Sequence, residues 1–155
     1  EITGRPDGQG KCLKQCMTQQ GIQWREMNYP HTITGDINWQ DYTVSVDFMI
    51  PGSGSVKLWG RTTGFRSDPY ESYGMEVRND GSWTFSQGTR MLKTGKAEPP
   101  GKEWNTLIMK FNGPVVSVLM NGKTLVSDME IPVKKGLVGL GTGWNAAYFD
   151  NLKVY

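Results

Sequence analysis

From Tyr42 to Met49 apolar and polar side chains alternate, Tyr42, Val44, Val46 and Phe48 against Thr43, Ser45, Asp47 and Met49. A period of two places the apolar set on one face of a strand. Ser55 to Arg61 repeats the device, with Val56 and Leu58 set against Lys57, Trp59 and Arg61. Shorter runs of strand character recur at Lys11 to Met17, Ile22 to Met27, His31 to Thr34, Tyr73 to Arg78, Ser82 to Gln87 and Met91 to Thr94. They continue at Trp104 to Phe111, Val115 to Met120, Thr124 to Val126, Gly136 to Thr142 and Ala146 to Val154. Between them lie turn signals. Asn79-Asp80-Gly81 and Asn121-Gly122 supply the positive φ angles that tight hairpins need. Pro51-Gly52-Ser53-Gly54 is a break, Thr62 to Ser72 is irregular and polar, and Gly95 to Gly101 is a loop holding Pro99-Pro100. No long segment has a helical period. About a dozen short strands with frequent turns predict an all-β fold, an antiparallel jelly-roll β-sandwich.

Composition narrows this picture. The chain of 155 residues is long enough for one domain with a real core. Its 20 glycines, 8 prolines and 6 tryptophans suit a turn-rich β protein. A net charge of +2, with both signs interspersed, argues against nucleic acid as a partner. No apolar run approaches the length of a membrane span. Residues 1–10 are polar and glycine-rich and read as a linker or chain end rather than a signal peptide, leaving one domain over 11–155. A signal could still stand further upstream in a longer parent. Cys12 and Cys16, if on one strand, lie roughly 13 Å apart, too far for a disulfide. With His31 the only histidine and no CxxC motif, the residues for a zinc site are missing.

Catalytic motifs are also missing: there is no Gly-x-Ser-x-Gly elbow, no P-loop and no HExxH. Paired carboxylates can hydrolyse a glycosidic bond, but 15 acidic residues make some pairing inevitable and uninformative. Sugar recognition is better served. Such sites combine an aromatic face with charged or amide groups that bond the hydroxyls. Lys57, Trp59 and Arg61 share one strand face, and Asp47, Glu76 and Arg78 are candidates to join them. Trp144, in Gly143-Trp144-Asn145, is the best candidate for an exposed loop aromatic. The competing reading is a solvated outer face with Trp59 covered by Thr62 to Ser72. Trp24, Trp39, Trp83 and Trp104 read as core or turn anchors. The turn Gly35-Asp36-Ile37-Asn38-Trp39 concentrates oxygen donors that suit calcium, or an Asx turn that caps its own backbone.

Several stretches, in order over nearly the whole chain, carry a resemblance. They include Ile22-Gln23-Trp24-Arg25, Ile33-Thr34-Gly35-Asp36-Ile37-Asn38-Trp39, Tyr42-Thr43-Val44-Ser45-Val46-Asp47 and Gly60-Arg61. Later come Lys102-Glu103-Trp104-Asn105-Thr106-Leu107, Gly139-Leu140-Gly141-Thr142 and Phe149-Asp150-Asn151. The chain resembles the C-terminal lectin-like domain of the galactocerebrosidases, glycoside hydrolase family 59. That resemblance implies a concanavalin A- or laminin G-like sandwich that accompanies a catalytic barrel and cleaves no bond itself. It implies a structural calcium held by Asp36, Asn38, Asp150 and the carbonyl of Phe65. It also implies a secreted or otherwise extracytoplasmic setting, lysosomal in a eukaryote. A galactose-containing glycan and the parent's catalytic domain are then the expected partners. One departure is Tyr73-Gly74-Met75-Glu76, where the family offers more aromatic residues toward the barrel. The rival expectations are a purely structural module and a small stand-alone hydrolase.

Overall fold

Alternation becomes thirteen strands among the described residues. In chain order they are β1 (Ile2–Gly4), β2 (Lys11–Gln15), β3 (His31–Thr34), β4 (Tyr42–Met49), β5 (Ser55–Thr62), β6 (Tyr73–Arg78) and β7 (Ser82–Gln87). Then follow β8 (Arg90–Lys96), β9 (Asn105–Asn112), β10 (Val115–Met120), β11 (Lys123–Glu130), β12 (Leu137–Thr142) and β13 (Ala147–Val154). The structure, a computed structural model, describes residues 1–20, 29–63 and 72–155. The expected strand Ile22 to Met27, Trp24 and most of the irregular stretch after Thr62 lie outside them. Among the described residues no helix is long and apolar enough to cross a membrane.

The strands form two antiparallel sheets. One has seven strands in the order β1-β2-β13-β4-β9-β10-β11, the other six in the order β3-β12-β5-β6-β7-β8. Inward side chains of both make one core. Val44, Val46 and Phe48 of β4 and Leu107, Met109 and Phe111 of β9 meet Leu58, Tyr73, Met75 and Phe85 of the opposite sheet. Tyr73 and Phe111 bridge the layers with ring centroids 6.2 Å apart. Each such burial stabilises by about 1.5–3 kcal/mol. The result is the antiparallel β-sandwich that the alternation predicts. Asn121 (φ 50) and Gly122 (φ 76) turn β10 into β11, as the Asn-Gly pair predicts. Trp83 is a core residue and Trp39 packs against the core's edge, as anchors should. Cys12 and Cys16 are free thiols, the first buried and the second exposed.

Two features depart from expectation. Ile2–Gly4, inside the expected linker, pairs with β2 through Ile2↔Leu13 and Gly4↔Lys11 and so completes the seven-stranded sheet. Polar composition hid a strand that needs only backbone pairing at a sheet edge. Arg5 then reaches Asp150 of β13, ion-pairs with Asp7 at 2.8 Å and lies 4.2 Å above the Trp104 ring. The second departure is a bulge in β5. Leu137 pairs with Thr62 and Gly139 with Trp59, so Gly60 and Arg61 both fall opposite Val138. Arg61 takes up the extra residue with a φ of 49°.

Candidate glycan-binding face

Register builds the outer face of the six-stranded sheet row by row. Lys57 lies between Gly141 of β12 and Glu76 of β6, and Glu76 in turn opposes Thr84 of β7. One step along, Trp59 lies between Gly139 and Gly74, with Ser86 beyond Gly74. The glycines matter because the indole lies flat across them. A Cβ on Gly74 would come within 2.8 Å of Trp59 Cδ1, and one on Gly141 within 2.7 Å of its far edge. Trp59 is therefore pressed onto backbone, with His31 edge-on at a centroid distance of 6.5 Å, and only 8% of it is exposed. Gly74→Ala should push the indole off the sheet and cost about 1–3 kcal/mol as an overpacked site. A lowered melting temperature with a changed tryptophan emission would check this; an unchanged emission would count against the packing described.

Around Trp59 runs a chain of charge. Glu76 accepts from Arg78 at 3.1 Å and faces Lys57 Nζ at 3.8 Å. Lys57 Nζ also stands 3.2 Å from the centre of the Tyr29 ring, a close cation–π contact. Burial of the Lys57 ammonium pulls its pKa down, and Glu76 pulls it partly back. Tyr29, Lys57, Trp59, Glu76, Thr84 and Ser86 contribute to one cleft of about 310 Å³. That size is at the lower end for small-ligand pockets.

The remaining sequence candidates divide. Arg78 sits on the rim, tied to Glu76. Arg61, expected on this face, is wholly buried on the core side. The bulge breaks the alternation, so its guanidinium turns inward to Gln40 O (2.9 Å), Gly113 O (2.8 Å) and Asp41 (3.3 Å), over the Phe111 ring. Burial lowers its pKa, against the pull of Asp41. Asp47 is not here either. It belongs to the other sheet, where it accepts from Thr106 at 2.6 Å and Asn151 at 2.7 Å. Its place beside polar residues in β4 could not tell the outer face of one sheet from that of the other. Trp144 (φ 66) is half-buried in the β12–β13 turn and does not line the cleft. Tyr29 was missed, because a lone aromatic before Pro30 has no periodic partner to mark its direction.

The oxygen-rich turn has its own geometry. Asp36 Oδ1 accepts from the Asn38 backbone N–H (2.8 Å) and side-chain amide (3.1 Å), which is an Asx turn. Oδ2 of Asp36 has no hydrogen-bond partner among the described residues. Asp150 accepts from Arg5 and from the Asn151 N–H. Thr34, Asp150 and Asn151 line a second cleft, of about 320 Å³, that opens between the sheets at the β3–β12 side. Phe65 lies outside the described residues.

Two stacked antiparallel sheets, with an aromatic and charged cleft on the outer face of one, define a lectin-type β-sandwich. The same fold occurs in a carbohydrate-binding module, CBM66 from Bacillus subtilis, with a TM-score of 0.68 at 14% identity, covering 99% of this chain and 90% of that one. It occurs too in a Bacillus subtilis protein with a galectin-like fold, TM-score 0.69 at 13% identity, covering 99% and 86%. The chain belongs to the galactocerebrosidase C-terminal lectin domain family, whose model matches residues 2–155. Human galactocerebrosidase is 28% identical over 160 residues, covering 92% of this chain and 22% of that protein. The chain thus spans less than a quarter of the length of this relative. The matched family is that of a C-terminal lectin domain, consistent with a non-catalytic accessory module.

Proposed function

We propose that the chain binds a neutral, galactose-containing glycan in the cleft at Lys57, Trp59 and Glu76, as an accessory to the catalytic domain of a larger extracytoplasmic glycoside hydrolase. The observation that supports this is the joining of aromatic rings, one carboxylate and the hydroxyls of Thr84 and Ser86 in a single open cleft. A sugar ring needs both kinds of surface, apolar for its C–H face and polar for its hydroxyls. Secretion, or delivery to a lysosome, goes with that role. Calorimetric titration of the 155-residue chain with lactose tests the reading. Saturable binding that Glu76→Ala abolishes while the melt stays intact is the expected result. No heat at millimolar sugar, or binding indifferent to Glu76, would overturn it.

A second reading concerns calcium, with Asp36, Asn38, Asp150 and the Phe65 carbonyl as ligands. What supports it is that Oδ2 of Asp36 accepts no hydrogen bond among the described residues and that Thr34, two positions before Asp36, shares a cleft with Asp150. No group of three or more His, Cys, Asp or Glu among those residues is placed to hold an ion by itself. The donors are hard oxygens of the kind calcium takes. The ion would tie the turn after β3 to β13 and so join the two sheets. Arg5 already neutralises Asp150 and is the group that a cation would have to displace.

A further inference from the structure

We propose that Tyr29, rather than Trp59, is the platform on which the sugar ring stacks, and that the cleft selects neutral over acidic sugars. This rests on the glycan-binding reading above. Stacking needs an accessible aromatic face, and Trp59 has almost none to offer: it is 8% exposed and laid against the glycine backbone. Tyr29 is 42% exposed and lines the same cleft. One face of its ring is held by Lys57 Nζ at 3.2 Å, and Lys57 is held in turn by Glu76 at 3.8 Å. A ring already held on one face and still 42% exposed loses less freedom when a sugar orders it on binding.

The same contacts set the charge preference. Lys57 is committed to Tyr29 and Glu76, and Arg78 on the rim is committed to Glu76. The other polar side chains of the cleft, Ser72, Thr84, Ser86 and Thr89, are uncharged hydroxyls. A carboxylated or sulfated sugar would find no uncommitted cation among these residues and would meet the Glu76 carboxylate. A neutral hexopyranose needs only hydroxyl donors and acceptors.

The test titrates the 155-residue chain, and its Tyr29→Ala and Tyr29→Phe variants, with lactose and with galacturonate, followed by saturation-transfer NMR and a thermal melt. Tyr29→Ala is expected to weaken lactose binding by about tenfold, the size of one lost stacking contact. Tyr29→Phe keeps the ring and should bind within about twofold of the parent. Because Tyr29 is exposed, neither variant should lower the melt. Galacturonate should bind the parent more weakly than lactose. If lactose binds and Tyr29→Ala leaves it unchanged, the platform is wrong while the glycan-binding reading stands. Tighter binding of galacturonate overturns the charge preference alone. If neither sugar binds the parent chain, the reading beneath both has failed.

Discussion

Arg61→Ala is expected to destabilise the domain by about 3–5 kcal/mol and to leave glycan binding intact. The guanidinium is wholly buried and donates to the carbonyls of Gln40 and Gly113, which belong to segments far apart in the chain. Truncation would strip two carbonyls of their partner, at about 1–3 kcal/mol each, and leave a void beside Phe111. Arg61→Lys should recover little. A single ammonium cannot reach two carbonyls and a carboxylate in the planar fork that guanidinium offers. Urea unfolding, read for a shifted midpoint at unchanged slope, measures the loss. A loss below about 1 kcal/mol would mean that the carbonyls find water instead. Loss of sugar binding without loss of stability would put Arg61 on the binding face after all.

That contrast shows where sequence reasoning reached its limit. Alternation in Tyr42 to Phe48 and the Asp-Gly and Asn-Gly turns made the sandwich legible, because a period of two and a positive φ are local properties. Lys57, Trp59 and Glu76 were legible as a group for the same reason. Arg61 was not, since one inserted residue in β5 reverses every later side chain and no residue type announces a bulge. Asp47 failed differently. Its direction within β4 was read correctly, as polar and outward, but which sheet β4 joins is a matter of topology. Pairing of β4 with β9 and β13 decides it. β1 was missed because Ile2-Thr3-Gly4 carries no pattern long enough to recognise; its partner β2 makes it a strand.

The pairing of β4 with β13 also sets Asp47 directly opposite Asp150. Like charges so placed repel, and the chain relieves each separately. Asp47 takes donors from Thr106 and Asn151, while Asp150 takes Arg5. The residue after Asp150 carries a φ of 51°, and the register shifts between Asp150 and Lys153. Asn151 is thereby free of strict alternation and turns its amide onto Asp47. Arg5 thus ties the N-terminal segment to β13, and any other cation brought to Asp150 competes with that tie.

Calcium is therefore expected to act against Arg5, and the competition makes the ion's presence measurable. With the ion bound only in the folded state, a hundredfold excess over Kd stabilises by about 2.7 kcal/mol. For a domain of this size that is a rise of roughly 5–10 °C in melting temperature. Chelation should remove it and added calcium restore it. Asp36→Ala should abolish the response, because the Asn38 amide alone offers too few hard donors in the turn. Asp150→Ala should do the same. Arg5→Ala should behave oppositely. Without its guanidinium the chelated protein loses the counter-charge on Asp150 and melts lower, while calcium no longer displaces an arginine and binds more tightly. The gap between chelated and loaded forms should widen. A gap that narrows in Arg5→Ala would mean that Arg5 supports the site rather than competes for it. If the parent chain melts at one temperature with and without chelator, Asp36, Asn38 and Asp150 hold no calcium, and Arg5 is the sole cation that Asp150 requires.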